Sequence, residues 1–411
     1  MEYFCILASF VCTMAVYLWI SIRERSYFNV LTPWFVFLVP TVYLLELYHL
    51  SIFGPSASTF AYAYMYACYA AAFLAFSLGY ACFRTKALQL PFSSYNKGGN
   101  ALVPYVVLAG AILAYLPVLI EFRSSLANPR QIYEQTRTGY GIYSYTSVAL
   151  CMMAFILLLF KRRLGAIELS SFTLICMVFL WAHGNKGPML TLMFILLMYL
   201  VYQKKYEFPV GRFILLGGAL AIFGLGLFLL TNPGLLLDNA GFEGLAGYSD
   251  YTRNGMMVID SDIAPLYGRL TLEQEVFSRI PRQIFPGKPT DFGSFYLAKH
   301  FFPAAFAQNV GDPAFSFGTL LADFGPLALP IIFVLYLSGG IFLRVFMTGL
   351  RQYRDPGNFA LVLYCCGVSV IPLSGTFLLL ETIVLATFMN LLNSIRIFAP
   401  RSTAVMSAGP T

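Results

Sequence analysis

The sequence predicts an all-α polytopic membrane protein with about 11 transmembrane helices and one large extracytoplasmic loop. Hydrophobic residues make up 59% of the 411 residues, charged residues make up 11%, and the mean hydropathy is +0.72. Soluble proteins have roughly 45–50% apolar and about 25% charged residues. This composition excludes a soluble enzyme and a disordered chain. It also excludes a nucleic-acid-binding module, because the basic residues lie in short clusters between apolar runs.

Eleven apolar runs define the predicted spans, since a helix needs about 20 residues to cross a bilayer. Short connections join most of them, so we predict a single transmembrane domain over residues 1–411. Two connections are longer, residues 123–142 and residues 232–322, the latter between the eighth and ninth runs. Long loops are uncommon unless they are functional, and we expect short helices inside the larger one. The runs are residues 3–21, 29–49, 58–82, 101–122, 143–160, 165–182, 188–203, 212–231, 324–345, 359–377 and 378–396.

The basic residues of the short connections indicate how the chain is oriented. Sixteen of the 26 lysines and arginines fall in short segments at alternate ends of the runs. Because cytoplasmic loops carry an excess of Lys and Arg, we expect this end to be cytoplasmic. The N-terminus and both longer loops then face outward. These residues are Arg23, Arg25, Arg84, Lys86, Lys97, Lys161, Arg162, Arg163, Lys204, Lys205, Arg212, Arg344, Arg351, Arg354, Arg396 and Arg401.

The larger loop contains a helix signal followed by a stiff basic segment. Thr271 to Gln274 has the pattern of a capping box and predicts a helix over residues 272–280. Three prolines then fall within the nine residues 281–289, and each fixes its backbone φ angle. The sequence therefore predicts a short helix leading into a rigid, outward-facing segment.

This segment carries three cations, Arg279, Arg282 and Lys288. On a stiff backbone they are suited to bind a phosphate or diphosphate, because guanidinium and ammonium groups donate charge-assisted hydrogen bonds to its oxygens. The alternative for Arg279 is an ion pair with Glu275, four residues earlier on the helix. For Arg282 and Lys288 we expect the anion-binding role.

The shorter loop carries a second basic set on a predicted helix. The Asn-Pro pair at 128–129 is a helix start signal, and Gly139 would end the helix. Arg130 and Arg137 then lie two turns apart on one face. We expect both to contribute to diphosphate binding. The alternative is that Glu134, four residues after Arg130, neutralises it.

A third basic position lies in the turn His183 to Pro188 between the sixth and seventh runs. Pro188 suits the first position of a helix, and Lys186 would stand beside that helix N-terminus, whose amides favour anions. We include Lys186 among the diphosphate-binding residues. The alternative is an interfacial turn whose lysine extends to the membrane surface.

Candidate bases come from ionisable residues near the outward ends of the runs. Glu46, Asp323 and Glu381 share that depth, and ionisable residues within spans are functional candidates. Glu46 and His49 alternatively satisfy each other, one turn apart. His300 lies among aromatic residues in the larger loop and is either a general base or a buried structural histidine.

No cofactor or metal site is expected. The eight cysteines and three histidines show no metal-ligand spacing. Asp260 and Asp262 are separated by one serine, a formal DxD pattern, and this is the one alternative that leaves a metal open.

Residues 280–289, with the sequence IPRQIFPGKP, resemble a signature of bacterial oligosaccharide repeat unit polymerases, the O-antigen polymerase (Wzy-type) family. Residues 137–141 before a span and residues 317–325 after the larger loop resemble further features of that family. Residues 184–188 resemble another feature of the family, although many members carry Arg where this chain has Lys186.

The resemblance implies a GT-C-like membrane fold and an active site at the periplasmic face of the inner membrane. Family members transfer a growing glycan from undecaprenyl diphosphate to the non-reducing end of an incoming lipid-linked repeat unit. They use no nucleotide sugar and generally no metal. The expected partners are undecaprenyl-diphosphate-linked oligosaccharides, the lipid bilayer and a chain-length regulator protein, with no nucleic acid.

This chemistry assigns roles to the candidate residues. Cations must offset the charge that develops on the departing diphosphate, which suits Arg282, Lys288, Arg279, Arg137, Arg130 and Lys186. The acceptor hydroxyl needs a base or an oriented partner, for which His300, Glu381 and Glu46 are the candidates.

Two other functions remain open from the sequence. An O-antigen ligase shares the architecture and differs mainly in its acceptor. A lipid-linked oligosaccharide flippase or another transporter is the alternative of a different class, although the gathering of charges at the outward end favours chemistry at the surface.

Overall fold

The computed structural model describes residues 1–93, 101–125, 129–136, 140–184, 186–231, 249–280, 284–307, 314–371 and 379–395. In these ranges the regular elements are helices and no β-strand occurs, which confirms the all-α prediction for the part described. The helices are α1 (Glu2–Glu24), α2 (Thr32–Phe53), α3 (Thr59–Cys82), α4 (Val103–Glu121), α5 (Pro129–Thr136), α6 (Gly141–Leu159), α7 (Ala166–Trp181), α8 (Lys186–Tyr202), α9 (Val210–Thr231), α10 (Asp250–Ile259), α11 (Arg269–Phe277), α12 (Ser294–Phe301), α13 (Pro303–Ala307), α14 (Gly318–Phe324), α15 (Ala328–Tyr353), α16 (Pro356–Cys365) and α17 (Leu379–Ser394).

Ten of the eleven predicted apolar runs match an apolar helix, among α1 to α4, α6 to α9, α15 and α17, and the run 359–377 only overlaps α16. Among the described residues, six helical segments are long and apolar enough to cross a membrane, namely α1, α2, α3, α4, α6 and the stretch Gly318–Tyr353 that contains α15. The apolar helices α7, α8, α16 and α17 are shorter, at 10–17 residues. The chain is therefore an all-helical polytopic membrane protein.

The last hairpin departs from the predicted spans. The Asp355 side chain accepts a hydrogen bond from the Asn358 amide at 2.7 Å and starts α16 at Pro356. The helix ends at Cys365, so the predicted span 359–377 is wrong from residue 366 to the last described residue, 371. Gly367 has a φ of +77°, a left-handed conformation that an α-helix cannot continue through.

The centre of the molecule is the crossing of α3 and α15, where two glycines let the backbones touch. An ideal Cβ on Gly79 would lie 2.2 Å from the Leu337 carbonyl oxygen, and one on Gly340 would lie 2.0 Å from the Phe76 carbonyl oxygen. Neither position has room for any side chain. Small residues allow such close approach between membrane helices, and this crossing fixes how α3 and α15 are aligned.

Glu24 joins four helices at the end of the bundle that we call the basic end. Its carboxylate accepts hydrogen bonds from Tyr80 and Tyr202, the latter at 2.6 Å. Arg344 and Arg351 of α15 act on the same carboxylate through their charges. The C-terminal ends of α1, α3 and α8 therefore meet here, and we call the opposite end the loop end.

Part of the region between α9 and α15 packs along α3 rather than beyond its loop end. At that end, the Ser58 amide donates to Asp260 at 2.7 Å. Farther along α3, the Tyr69 hydroxyl lies 3.0 Å from that of Thr252 and 2.7 Å from that of Ser316. Tyr69 is ten residues past the start of α3, a distance of roughly 15 Å along a helix. Helix α10 and residues 314–317 thus reach well into the bundle.

Candidate active site

Helix α11 is positioned by a carboxylate from α14. Asp323 is fully buried and accepts hydrogen bonds from the amides of Leu270 and Thr271, at 2.9 and 2.8 Å, and from the Thr271 hydroxyl at 2.7 Å. The predicted capping box is wrong, because α11 begins at Arg269 and ends at Phe277 instead of spanning 272–280. Gln274 accepts from the Ser294 amide at 3.1 Å instead. Asp323 thus has a structural role.

Arg279, just past α11, lies between two carboxylates. Its Nη1 atom is 2.7 Å from Glu275 Oε2, and its Nε atom donates to Glu381 at the start of α17. The ion pair with Glu275 expected as an alternative is present, and Glu381 adds a second partner. Although burial opposes its charge, hydrogen bonds to Glu381 and Glu275 raise the pKa of Arg279. This contact brings a predicted diphosphate-binding cation and a predicted base together.

Lys288 folds back towards Arg279. Its ammonium group donates to the Ile280 carbonyl oxygen at 3.0 Å and lies 4.7 Å from the centre of the Phe292 ring. Ile280 is the residue after Arg279, so both cations stand at the same end of α11. The third predicted cation of this segment, Arg282, lies outside the described residues.

A second basic position forms where α5 meets the turn before α8. Gly184 has a φ of +65°, and an ideal Cβ there would lie 1.9 Å from the Pro129 carbonyl oxygen, so the turn presses against the start of α5. Arg130 is exposed, and its charge acts on that of Lys186. The helix predicted to start at Pro129 is confirmed. Arg137 and the side chain of Glu134 lie outside the described part of the chain.

His183 holds this turn in place. The ring is buried, its Nε2 atom is 2.7 Å from the Ser147 hydroxyl, and its Nδ1 atom is 2.9 Å from the Phe179 carbonyl oxygen. It also stacks on Tyr115 with 3.8 Å between ring centres. Burial lowers the pKa of His183 to about 4. The sequence analysis missed this role. A histidine just after an apolar run can donate to the carbonyl oxygen four residues earlier, here that of Phe179, and this spacing could have predicted it.

Glu46 lies in a second polar group at the loop end, between α2, α3 and α10. It is fully buried and accepts a hydrogen bond from the Tyr62 hydroxyl at 3.0 Å. The charge of Arg253 in α10 acts on it. The alternative that Glu46 and His49 satisfy each other is wrong, since His49 packs against Phe53 and forms no hydrogen bond with Glu46.

His300 is exposed near the end of α12, with its ring 4.9 Å from that of Phe301. The alternative of a buried structural histidine is therefore wrong, and its role as a base stays a prediction. Asp260, of the DxD pattern, is bonded to Ser58. Within the described residues, no three His, Cys, Asp or Glu side chains are grouped so that they could hold a metal.

The structure thus brings together some of the predicted site residues and separates others. Arg279, Glu381 and Lys288 gather at the end of α11, while Arg130 and Lys186 gather at the start of α5 and α8. No hydrogen bond or ion pair joins the exposed His300 to Arg279 or Lys288 among the described residues. The ion-paired residues Arg279, Glu275 and Glu381 lie where the end of α11 contacts the start of α17.

These features define a polytopic membrane protein that is helical in the part described, with cations and carboxylates gathered at the end of α11 and further cations at the starts of α5 and α8. The chain is 36% identical over 388 residues to the O-antigen polymerase of Salmonella typhimurium strain LT2, which covers 92% of this chain and 93% of that protein. The O-antigen polymerase of Salmonella typhi matches to the same extent. This chain therefore belongs to the O-antigen polymerase family, as its motifs predict. No protein-family model matches it, and no solved structure gives a significant match.

Proposed function

We propose that this protein polymerises lipid-linked O-antigen repeat units in the bacterial inner membrane. It transfers the growing glycan from undecaprenyl diphosphate to the non-reducing end of an incoming lipid-linked unit. The observation that carries this proposal is the 36% identity to two O-antigen polymerases over 92% of the chain. The clustering of Arg279, Lys288, Glu275 and Glu381 at the end of α11 supports it, because the leaving group is a diphosphate.

The proposal extends to the membrane topology, that is, to which helices cross and which end faces the cytoplasm. Helices α1 to α4, α6 to α9 and α15 cross the membrane in a GT-C-like arrangement, with the basic end in the cytoplasm and the loop end in the periplasm. The ten residues of α16 are too few to cross it as a helix. The meeting of Glu24, Arg344 and Arg351 at one end supports this orientation, since cytoplasmic ends are rich in basic residues. A chain-length regulator protein is the expected partner.

The reaction needs one bond made and one broken at the anomeric carbon of the donor sugar. The acceptor hydroxyl oxygen attacks that carbon, and its proton passes to a base. The bond from the carbon to the diphosphate oxygen breaks, and the diphosphate leaves with the electron pair. Cations aimed at the departing oxygens stabilise the developing charge. We assign this role to Arg279, Arg282 and Lys288, and assign binding of a lipid diphosphate also to Arg130, Arg137 and Lys186.

Among the three candidate bases, Glu381 is the strongest. It contacts Arg279, so a diphosphate held by that guanidinium brings the reacting carbon close to this carboxylate. Glu46 is enclosed between helices and bonded to Tyr62. His300 stands on the exposed side of α12. We retain both as the weaker assignments.

The test is the glycan profile of a strain lacking this protein, resolved on a gel and complemented with variants. Wild type should restore a ladder of chain lengths. Lys288→Ala should leave single repeat units while the protein stays in the membrane, because removing the cation destabilises the departing diphosphate by about 3 kcal/mol, which is a rate loss of roughly a hundredfold.

Lys299→Ala is the matched control. Lys299 lies on the same region, and it is bonded to Asp291 on the surface at 2.8 Å. It should keep the ladder. Loss of all outward-facing repeat units in the deletion strain would instead indicate a flippase. Full-length glycan that accumulates on undecaprenyl diphosphate would indicate a ligase, and an unchanged ladder with Lys288→Ala would refute the role of that cation.

A further inference from the structure

A cavity of about 410 Å³, open on one side, lies between α2, α3, α15 and two non-helical segments. Its size falls within the range of small-molecule sites. Six of its eleven lining residues are aromatic: Trp34, Phe37, Tyr69, Phe73, Phe317 and Tyr336. Beside it, residues Val39–Leu44 of α2 form a π-helical turn, a feature that often marks functional sites.

Both non-helical segments meet this cavity at a depth where helices are the rule. Ser316, in the segment before α14, has a φ of +47°, and Gly367, after α16, has a φ of +77°. Both residues line the cavity. Ser316 is level with Tyr69, ten residues inside α3. Non-helical backbone at membrane depth is tolerated where it is buried in protein or lines a cavity. Two non-helical segments that line the same cavity therefore indicate that the cavity is a specific feature of the fold.

The chemistry of the wall favours an apolar occupant. None of the lining residues is charged. The hydroxyls of Tyr69 and Ser316 bond to each other, and the Thr41 hydroxyl donates to the Phe37 carbonyl oxygen at 2.6 Å. A sugar or a diphosphate placed here would lose its hydrogen bonds to water with few replacements, which is costly. Aromatic and aliphatic surfaces instead suit a hydrocarbon chain.

The residues around the cavity lie near two environments that a lipid-linked substrate needs. On the outer side, Phe37 is 49% exposed on the surface of α2, so the wall reaches the part of the helix that faces lipid. On the inner side, Tyr364 lies three residues before Gly367 and is affected by the charges of Glu275, Glu381 and Arg279. Since Gly367 lines the cavity, the segment 364–367 runs between the cavity and the surroundings of Arg279.

We propose that this cavity binds the isoprenoid chain of the lipid carrier next to the diphosphate, an inference that rests on the proposed function. The aromatic wall then sets how deep the carrier sits, and it holds the diphosphate at a fixed height against Arg279. The enzyme should consequently distinguish carriers by the length of their hydrocarbon chain.

The first test compares two donors with the purified full-length protein in nanodiscs, one on undecaprenyl diphosphate and one on a two-isoprene diphosphate. Wild type should prefer the long chain in kcat/KM by about tenfold, which corresponds to burying two or three methylene groups. Ala72→Phe and Thr41→Phe, which fill the cavity at two different walls, should abolish that preference. Ala67→Phe, the same change on the exposed side of α3, should keep it.

A second measurement is independent of turnover. An undecaprenyl diphosphate carrying a diazirine on its chain should label the peptide that contains Phe317 in wild type and in Ala67→Phe, and should not label it in Ala72→Phe. If the preference and the labelling both persist in Ala72→Phe and Thr41→Phe, the cavity does not hold the chain. If neither donor is polymerised by wild type, the proposed function fails, and the labelling alone decides whether the cavity binds the carrier.

Discussion

Arg279 forms ion pairs with carboxylates from two different helices, Glu275 of α11 and Glu381 of α17. A lysine cannot replace it, because one ammonium group lacks the planar fork that reaches two acceptors at once. The pair of Arg279 and Glu381 can therefore act as a clamp between elements, as part of the chemistry, or as both. Exchanging the two residues separates these roles.

The double variant Arg279→Glu with Glu381→Arg should restore the ion pair in reversed order. We expect each single variant to lower the thermal stability of the protein in detergent, and the double variant to recover most of the loss. Polymerisation should not recover, because the cation and the base have changed places relative to the substrate. A double variant that restores both stability and the glycan ladder would show that the pair is only a clamp.

His183 gives the protein a stability that depends on pH. The folded protein keeps the pKa of His183 near 4, whereas an ordinary histidine accepts a proton near 6.5. Protonation of the unfolded chain therefore lowers the free energy of unfolding as the pH falls from about 6.5 towards 4, by up to roughly 3 kcal/mol. Thermal unfolding midpoints of wild type should drop across this window. His183→Gln should have a flatter profile, and an equal slope in both proteins would contradict the assignment.

At the scale of helices, the crossing of α3 and α15 tolerates no side chain at Gly340. Gly340→Ala should lower the free energy of unfolding by about 2 kcal/mol, since overpacking forces backbone shifts. The amount of folded protein after heating in detergent measures this loss. Gly110→Ala in α4 is the matched control, because a Cβ there meets nothing within 4 Å. Similar behaviour of the two variants would mean that the crossing adapts.

Hydropathy predicted the helices well, and it failed where a single backbone angle or a distant side chain decides the outcome. The run from 359 to 377 is apolar on average, so its hydropathy predicts one span, although Gly367, Ser369 and Pro372 within it are residues typical of turns. The start of α11 depends on Asp323, which is 53 residues away from Leu270 in sequence. Local patterns cannot report such a contact, and Thr271 therefore seemed to cap a helix that begins before it.

The candidate site was predictable in its residue types and only partly in its arrangement. Arginines and lysines on outward-facing segments stand out against an apolar chain, and Arg279 was found in this way. Its contact with Glu381 joins residues 102 positions apart, and sequence spacing cannot reveal it. The burial of Glu46 against Tyr62, and the exposure of His300, likewise depend on how whole helices pack.

For the whole molecule, the orientation of the bundle can be tested by chemical labelling. Tyr267 is 87% exposed at the loop end, and Arg162 lies in a connection at the opposite end. In a Cys82→Ser background, Tyr267→Cys should react with a membrane-impermeant maleimide in intact spheroplasts. Arg162→Cys should react only after the membrane is permeabilised. The reverse pattern would invert the proposed topology.

The packing of α3 against α15 also means that one helix is synthesised long before the other. About 245 residues separate the end of α3 from the start of α15. A ribosome that adds roughly 5–20 residues per second needs about 12 to 50 s to make them. Throughout that delay, the Gly79 face of α3 lies in the insertion machinery or in lipid without α15, its partner in the crossing. We therefore expect nascent chains of this protein to be sensitive to membrane proteases until α15 has been made.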